Sequence, residues 1–347
     1  MVVTTSSRSG AHVTLAFTVH SDSENPLEQG SYGVGLCLEA GLSTTCRSDP
    51  SSSTGVTVII NGNPSDDELQ REVLLECIKF DQALSSMHHT FDVQSQLPFS
   101  QGFGLSAAGA LSAARCLLAM SALPPKDQDQ AAWMIAHRVE RKLSGGLGDV
   151  TALHAGGVAR RNHPGSPYHL IEDNFRSGPG ESEAWESPIP VLAVWRKTKS
   201  RHTSEYIDSE EWSLKIRSAG IQAMESLGIG EWNKNRWTEI TNQANDFAEN
   251  SGLLDDAERR ELLNEVRWAL RSFEPRLSVL LCMLGESVVV IPNEIEDDGR
   301  FERWAADAVD EECAREQVIE AHKVLMSLNH KNEETFRELV DTLEAGR

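Results

Sequence analysis

Positive charge is scarce in this chain: 32 Lys and Arg stand against 53 Asp and Glu, a formal net charge of -21 over 347 residues. Nucleic acids and anionic membranes both need a basic footprint, so neither is expected as a partner. No apolar run approaches the ~20 residues that span a bilayer, and the first residues lack a basic stretch followed by an apolar core. A cytoplasmic protein is the expectation. Cys37, Cys46, Cys77, Cys116, Cys282 and Cys313 include no CxxC pair, which argues against a disulfide framework or a zinc site. They read as reduced, buried, small apolar side chains. His88, His89 and His163 have no partners at metal-ligand spacing and are assigned to the surface. The tryptophans are too dispersed to form a stacking platform, and internal repeats and low-complexity tracts are absent. No Lys-Ser or Lys-Thr pair follows a glycine cluster, so there is no Walker A loop, and the three-glycine Rossmann spacing is missing too.

What the chain does have is Gln101-Gly102-Phe103-Gly104-Leu105-Ser106-Ala107-Ala108-Gly109-Ala110-Leu111, a glycine turn that runs straight into a small-residue helix. Glycines let a ligand approach the backbone, and the helix aims its first free N–H groups and positive dipole end into the turn. A phosphate is the natural occupant. Ser106 stands where an N-cap would, so its hydroxyl either caps the helix or ligates a metal beside the phosphates.

The rest of the chain reads as mixed α+β, with enough residues for two domains sharing a cleft. Alternation predicts strands over 11–20, 34–46 and 55–61, and helical spacing over 69–84 precedes an extended 90–97 that delivers the glycine turn. The helix from about 107 to 120 is apolar on nearly every side, which predicts burial. A second helix occupies 130–143, a short one 150–155, and 156–162 enters a strand. Residues 171–187, rich in Gly, Pro, Ser and Glu, read as the linker between residues 1–170 and 188–347. Beyond a buried strand at 189–195, helices are expected at 212–227, 237–251 and 255–271, strands around Gly285, and charged amphipathic helix over the last fifty residues.

The glycine stretch resembles the second motif of the GHMP kinases, a proline followed by Gly-Leu-Gly-Ser-Ser-Ala-Ala and a helix. Gly102-Phe103-Gly104-Leu105-Ser106-Ala107-Ala108-Gly109-Ala110-Leu111 is closer still to the archaeal pantoate kinase branch. Three further segments agree in order: Ser9 to Thr14 followed by Gly30 to Gly35, Gly146-Leu147-Gly148-Asp149-Val150 followed by Gly156-Gly157, and Met283 to Val288. Departures are Tyr32, where the branch has arginine, Ser100-Gln101, where it has small residues, and Glu286, where asparagine is common.

The resemblance implies a two-lobed GHMP kinase fold with its active site in the cleft, ATP as phosphoryl donor, magnesium, pantoate as the small hydroxy-acid acceptor, and a homodimer. Gly102, Phe103, Gly104, Leu105, Ser106, Ala107 and Ala108 would bind ATP. Asp149, which on its own could simply cap a helix, would act on the acceptor hydroxyl as general base or orienting anion. Glu140, otherwise a solvated helical charge, would pair with Ser106 on magnesium. Arg161 matches an arginine that would hold the pantoate carboxylate. His12 and Ser31 are further substrate contacts, each with a bland alternative as structural strand or turn residue. Lys199 and Arg201 read as surface charge, with phosphate contact as the alternative. Other readings are a GHMP kinase acting on homoserine, mevalonate or a sugar, and a catalytically silent ligand-binding relative.

Overall fold

A computed structural model describes residues 2–187, 189–196, 209–271 and 276–295, with the backbone of a strand at Ile319–Leu325. Two long alternating strands, Val3–Phe17 (β1) and Gly33–Pro50 (β2), pair antiparallel from Val3 opposite Ser48 to Phe17 opposite Gly33. β2 is the spine of a seven-stranded sheet. Gly55–Ile60 (β3) and Asn63–Ser65 (β4) extend that sheet beyond Met87–Ser95 (β5), which pairs with one end of β2, while Val158–His163 (β6) pairs with the other end. Tyr168–Ile171 (β7) and Asn174–Ser177 (β8) form a hairpin, and Glu181–Trp185 (β9) closes the sheet against β6.

Residues 171–187, expected as a linker, therefore carry strands of the first half. Their glycines and proline make turns between short strands. Glu68–Ile78 (α1) and Pro125–Lys142 (α3) flank Leu105–Leu118 (α2), which lies on β1 and β2. Every residue of α2 except Ser106 is buried, as its largely apolar surface requires, and the buried Arg115 is paired with Asp129. Gly109 lets Leu69 pack against it, since a Cβ there would stand 3.1 Å from Leu69 Cδ2.

A short helix, Asp149–Ala155 (α4), precedes β6. The second half begins with Pro190–Arg196 (β10) and continues through Glu210–Leu227 (α5), Trp237–Asn250 (α6) and Ala257–Ala269 (α7) to Leu277–Leu281 (β11) and Ser287–Pro292 (β12). Its four-stranded antiparallel sheet runs β11-β12-β10-β13, where β13 is Ile319–Leu325. That last strand replaces part of the helix expected near the carboxy terminus. Pairing with the open edge of β10 satisfies its backbone groups across strands instead of within a helix. Both halves contribute to one buried core, with Phe17 of β1 packing on Phe247 of α6.

Cys37, Cys46, Cys77, Cys116 and Cys282 are buried and unpaired, as expected, and Cys313 lies outside the described residues. His89 corrects its surface assignment: it is fully buried, its Nε2 donating to Leu84 O at 2.9 Å and its Nδ1 accepting from Ser48 Oγ at 2.7 Å. Strand alternation turns His88 outward and His89 inward. No helix among the described residues is long and apolar enough to cross a membrane.

Candidate active site

The chain leaves β5 and enters α2 through a run of left-handed residues, Ser100 (φ 61°), Gly102 (φ 82°) and Gly104 (φ 59°). At both glycines a side chain would also collide. A Cβ at Gly102 would stand 3.0 Å from the carbonyl oxygens of Cys282 and Met283, and one at Gly104 3.1 Å from His12 O. Gly104, not Ser106, is the N-cap of α2. Its left-handed backbone starts the helix two residues earlier than expected and releases the Ser106 hydroxyl from capping. Ala108 N already bonds Gly104 O at 3.2 Å, so the free amides of the first turn are those of Leu105, Ser106 and Ala107.

Leu105 and Ser106 line an open cavity which, with the open solvent at its mouth, encloses about 1000 Å³ of empty space. Its wall also includes Thr14, Ser31, Gly145 to Asp149, Arg161 and Leu284. Ala107 and Ala108 lie outside the lining, their side chains in the core. Gln101 ties the loop to the second half. Its Nε2 donates to Arg196 O at 3.3 Å, its Oε1 accepts from Glu286 N at 3.1 Å, and its carbonyl accepts from Ser287 Oγ. The two departures at Gln101 and Glu286 thus meet each other. Gly285 must lack a side chain there, because a Cβ would stand 2.1 Å from Gln101 O. Ser100, Ser144 and Leu284 are non-glycine residues with positive φ that line the cavity, a concentration of backbone strain typical of working sites.

Asp149 opens α4 but does not cap it, since Gly148 is the N-cap. Asp149 Oδ1 lies 2.6 Å from His12 Nδ1 and 3.5 Å from Thr14 Oγ1. A carboxylate only accepts, so the imidazole donates from Nδ1. Burial pushes the Asp149 carboxyl up, but the His12 bond, the Arg161 charge and Thr14 outweigh it and hold the group below its ordinary range. His12 is fully buried behind Asp149, outside the cavity lining.

Glu140 on α3 is 2% exposed, and among the described residues neither of its carboxylate oxygens has a partner in good hydrogen-bond geometry. It sits under the Gly145-Gly146 turn, where a Cβ at Gly145 would stand 2.8 Å from Oε1 and one at Gly146 2.3 Å from Oε2. Burial and repulsion from Asp149 push its pKa up to about 8, with the Ser106 hydroxyl and Arg141 pulling the other way. Arg141 braces the turn through Gly146 O at 2.7 Å. Among the described residues no group of three or more His, Cys, Asp or Glu could hold a metal. A magnesium site needs fewer protein ligands than that.

Arg161 on β6 is 1% exposed. Its Nε donates to Ser31 Oγ at 3.1 Å, and its Nη1 has no partner among the described residues. Burial lowers its pKa to about 10, leaving it cationic at neutral pH. The guanidinium fits between two glycines: a Cβ at Gly33 would stand 2.2 Å from Nη2, and one at Gly148 2.5 Å from Nε and 2.3 Å from Ser31 Oγ. Gly148→Ala is therefore expected to displace the Arg161 guanidinium and the Ser31 hydroxyl and to weaken binding of a small carboxylate in the cavity by about 10- to 100-fold, with nucleotide affinity changed little. Equilibrium binding of both ligands checks this. Arg160 points the other way, where it pairs with Glu183, bonds Leu227 O and Gly230 O, and stacks on Trp232.

The structure therefore brings Gly102 to Ser106, Ser31, Asp149 and Arg161 to one cavity, with Glu140 and His12 directly behind it. Lys199 and Arg201 lie outside the described residues. Sequence reasoning missed Thr14, Gln101 and Leu284. Thr14 sits inside a quoted motif, whereas nothing local marks a leucine for a left-handed backbone.

Residues 71–157 match the family described as GHMP kinases N terminal domain. Over 267 residues the chain is 31% identical to a pantoate kinase of Thermococcus kodakarensis, covering 76% of this chain and 80% of that protein. Over 251 residues it is 25% identical to a pantoate kinase of Methanocaldococcus jannaschii, covering 71% and 80% respectively. A solved structure described as a phosphotransferase related to CoA biosynthesis pathway superposes with a TM-score of 0.70 at 23% identity, over 94% of this chain and 97% of that one. That last likeness is one of fold.

Proposed function

Since the chain belongs to the pantoate kinase branch of the GHMP kinases, we propose that it transfers the terminal phosphoryl group of ATP to the primary hydroxyl of pantoate. The product, 4-phosphopantoate, would serve coenzyme A synthesis in the cytoplasm. One observation carries the acceptor class: Arg161 is a buried cation whose Nη1 has no partner among the described residues, beside the Ser31 hydroxyl and in the same cavity as Asp149 and the phosphate loop. A small molecule with a carboxylate and hydroxyls satisfies all three groups.

The free amides of Leu105 and Ser106, which line the cavity, cradle the ATP phosphates at the positive end of α2. Glu140 and Ser106 fit magnesium, because two buried oxygens with no partner in good hydrogen-bond geometry among the described residues and one freed hydroxyl form a hard, oxygen-only donor set. When bound, the ion neutralises phosphate charge. Arg161 and Ser31 hold the pantoate carboxylate, which brings its hydroxyl to Asp149. The hydroxyl oxygen forms a bond to the γ-phosphorus as the bond to the ADP oxygen breaks, and the hydroxyl proton passes to Asp149. A carboxylate with lowered proton affinity is a weak base, so Asp149 mainly orients the hydroxyl and takes the proton late. That suits a loose phosphoryl-transfer transition state, in which positioning and electrostatics supply most of the rate.

ADP release by the purified protein with magnesium and ATP, screened against pantoate, homoserine, mevalonate and galactose, tests the proposal. Release with pantoate is expected. Release only with another acceptor would keep the kinase and discard pantoate, and nucleotide binding without turnover on any acceptor would favour a silent ligand-binding protein.

A further inference from the structure

His12 touches two parts of the site that lie far apart along the chain. Its backbone N–H donates to Phe103 O at 3.0 Å, inside the phosphate loop, and its ring Nδ1 holds Asp149 Oδ1 at 2.6 Å. The ring is fully buried and outside the cavity lining, so it meets neither nucleotide nor acceptor there. Its slot is built for an imidazole. A Cβ at Gly35, on the neighbouring strand, would stand 2.2 Å from His12 Nε2, and among the described residues Nε2 itself has no hydrogen-bond partner. All the structural value of the ring is concentrated in Nδ1.

The bond also fixes which Asp149 oxygen works. Oδ1 is occupied by His12, with Thr14 Oγ1 3.5 Å away, while Oδ2 lies beside Gly146, where a Cβ would stand only 2.7 Å from it. Gly104, in the loop, packs against the same carboxylate: a Cβ there would stand 3.2 Å from Oδ1 and 3.1 Å from His12 O. Loop, histidine and aspartate form one packed unit in which a shift of any member displaces the others.

We infer that His12 is a positioning residue for phosphoryl transfer: its ring turns Asp149 so that Oδ2 faces the acceptor hydroxyl, and its backbone fixes the phosphate loop relative to that carboxylate. In-line transfer requires the acceptor oxygen and the γ-phosphorus to be aligned, and small errors in such alignment cost about 10²-fold in rate. The inference rests on the proposed kinase reading, deepens it, and moves His12 from substrate contact to support of Asp149.

Three variants separate the role of Nδ1 from mere filling of space. His12→Asn keeps a donor near the Nδ1 position, His12→Gln moves the donor to the Nε2 position, and His12→Leu removes it. His12→Leu and His12→Gln are expected to lose about 10²-fold in kcat, with both KM values within roughly threefold, while His12→Asn stays within about tenfold of wild type. In an Asp149→Asn background His12→Leu should add less than about threefold, because the group it positions is already gone. Wild-type kcat in His12→Leu, equal loss in His12→Asn and His12→Gln, or full additivity with Asp149→Asn would overturn the inference. The contact has its own readout in protein labelled with ¹⁵N-histidine: the His12 Nδ1–H resonance should be present and shift on Asp149→Asn. An unchanged resonance would sink the inference whatever the acceptor, whereas absence of turnover in wild type with an intact resonance would count against the kinase reading alone.

Discussion

Replacing Asp149 with Asn is expected to lower kcat by about 10²–10⁴-fold while leaving the KM for ATP nearly unchanged. The substitution is isosteric, and the carbonyl oxygen of the new amide can still accept from His12 in place of Oδ1, so the local structure persists. What changes is the other terminus. An amide nitrogen replaces Oδ2 and presents a donor to a hydroxyl that needs an acceptor. The nucleotide keeps its contacts because the loop amides and the start of α2 do not involve the carboxylate. Because the folded state holds the Asp149 carboxyl below its ordinary range, the charge contributes stability at neutral pH, and the melting temperature of the variant is expected to fall modestly while the fold persists. ADP release under single-turnover conditions, with a melting curve on the same sample, is the measurement. A kcat within about tenfold of wild type would remove Asp149 from the chemistry.

Glu140→Gln should produce the second large effect, in two readouts of opposite sign. With magnesium and both substrates, turnover is expected to fall by about 10²-fold or more, since a fixed charge at the phosphates is lost. Without metal the variant should be more stable than wild type at alkaline pH. Glu140 in the folded chain titrates at about 8 instead of the ordinary 4.5, so the folded form keeps a proton that the unfolded form gives up. The stabilisation from this group is fully present below pH 4.5 and is lost as pH rises through about 8. The loss amounts to at most a few kcal/mol, or several degrees in Tm. Gln cannot ionise, so its melting curve lacks that descent. Asp149 acts in the other direction: its folded pKa lies below 3.8, so its contribution is present above that value and lost only in acid. The two windows do not overlap. Melting curves from pH 5 to 9, with and without magnesium, should show wild type rescued by the metal and the variant indifferent to it. A wild-type curve with no decline toward pH 8 and no response to magnesium would contradict this account.

Much of this protein is written locally in its residues. The largely apolar run from Ala107 onward could only be a buried helix, because it offers water no polar face. Gly102 and Gly104 announce a left-handed turn, because glycine alone enters that region without penalty. Strand alternation and helical spacing reflect the 2.0 and 3.6 periodicities of neighbouring residues and need no knowledge of the rest of the chain. Ser31, Ser106, Glu140, Asp149 and Arg161 stand out through the resemblance to the family's motifs; read locally, Glu140 is only a solvated helical charge and Asp149 only a helix cap.

Other features depend on what comes near from elsewhere. Whether Ser106 or Gly104 caps α2 depends on the backbone path through His12 and Met283. The 171–187 segment is strand and hairpin because β6 offers it an edge, and β13 forms because β10 does. His89 is buried because register turns it inward. Gln101 looked like a blemish in the loop motif until Glu286 and Ser287 closed on it from the second half. His12 reaches Asp149 across 137 residues, and no local pattern records that meeting. Periodicity and glycine chirality are short-range properties that the sequence alone determined. The pairing of side chains across the site follows from strand register and packing, which exist only once the chain has folded.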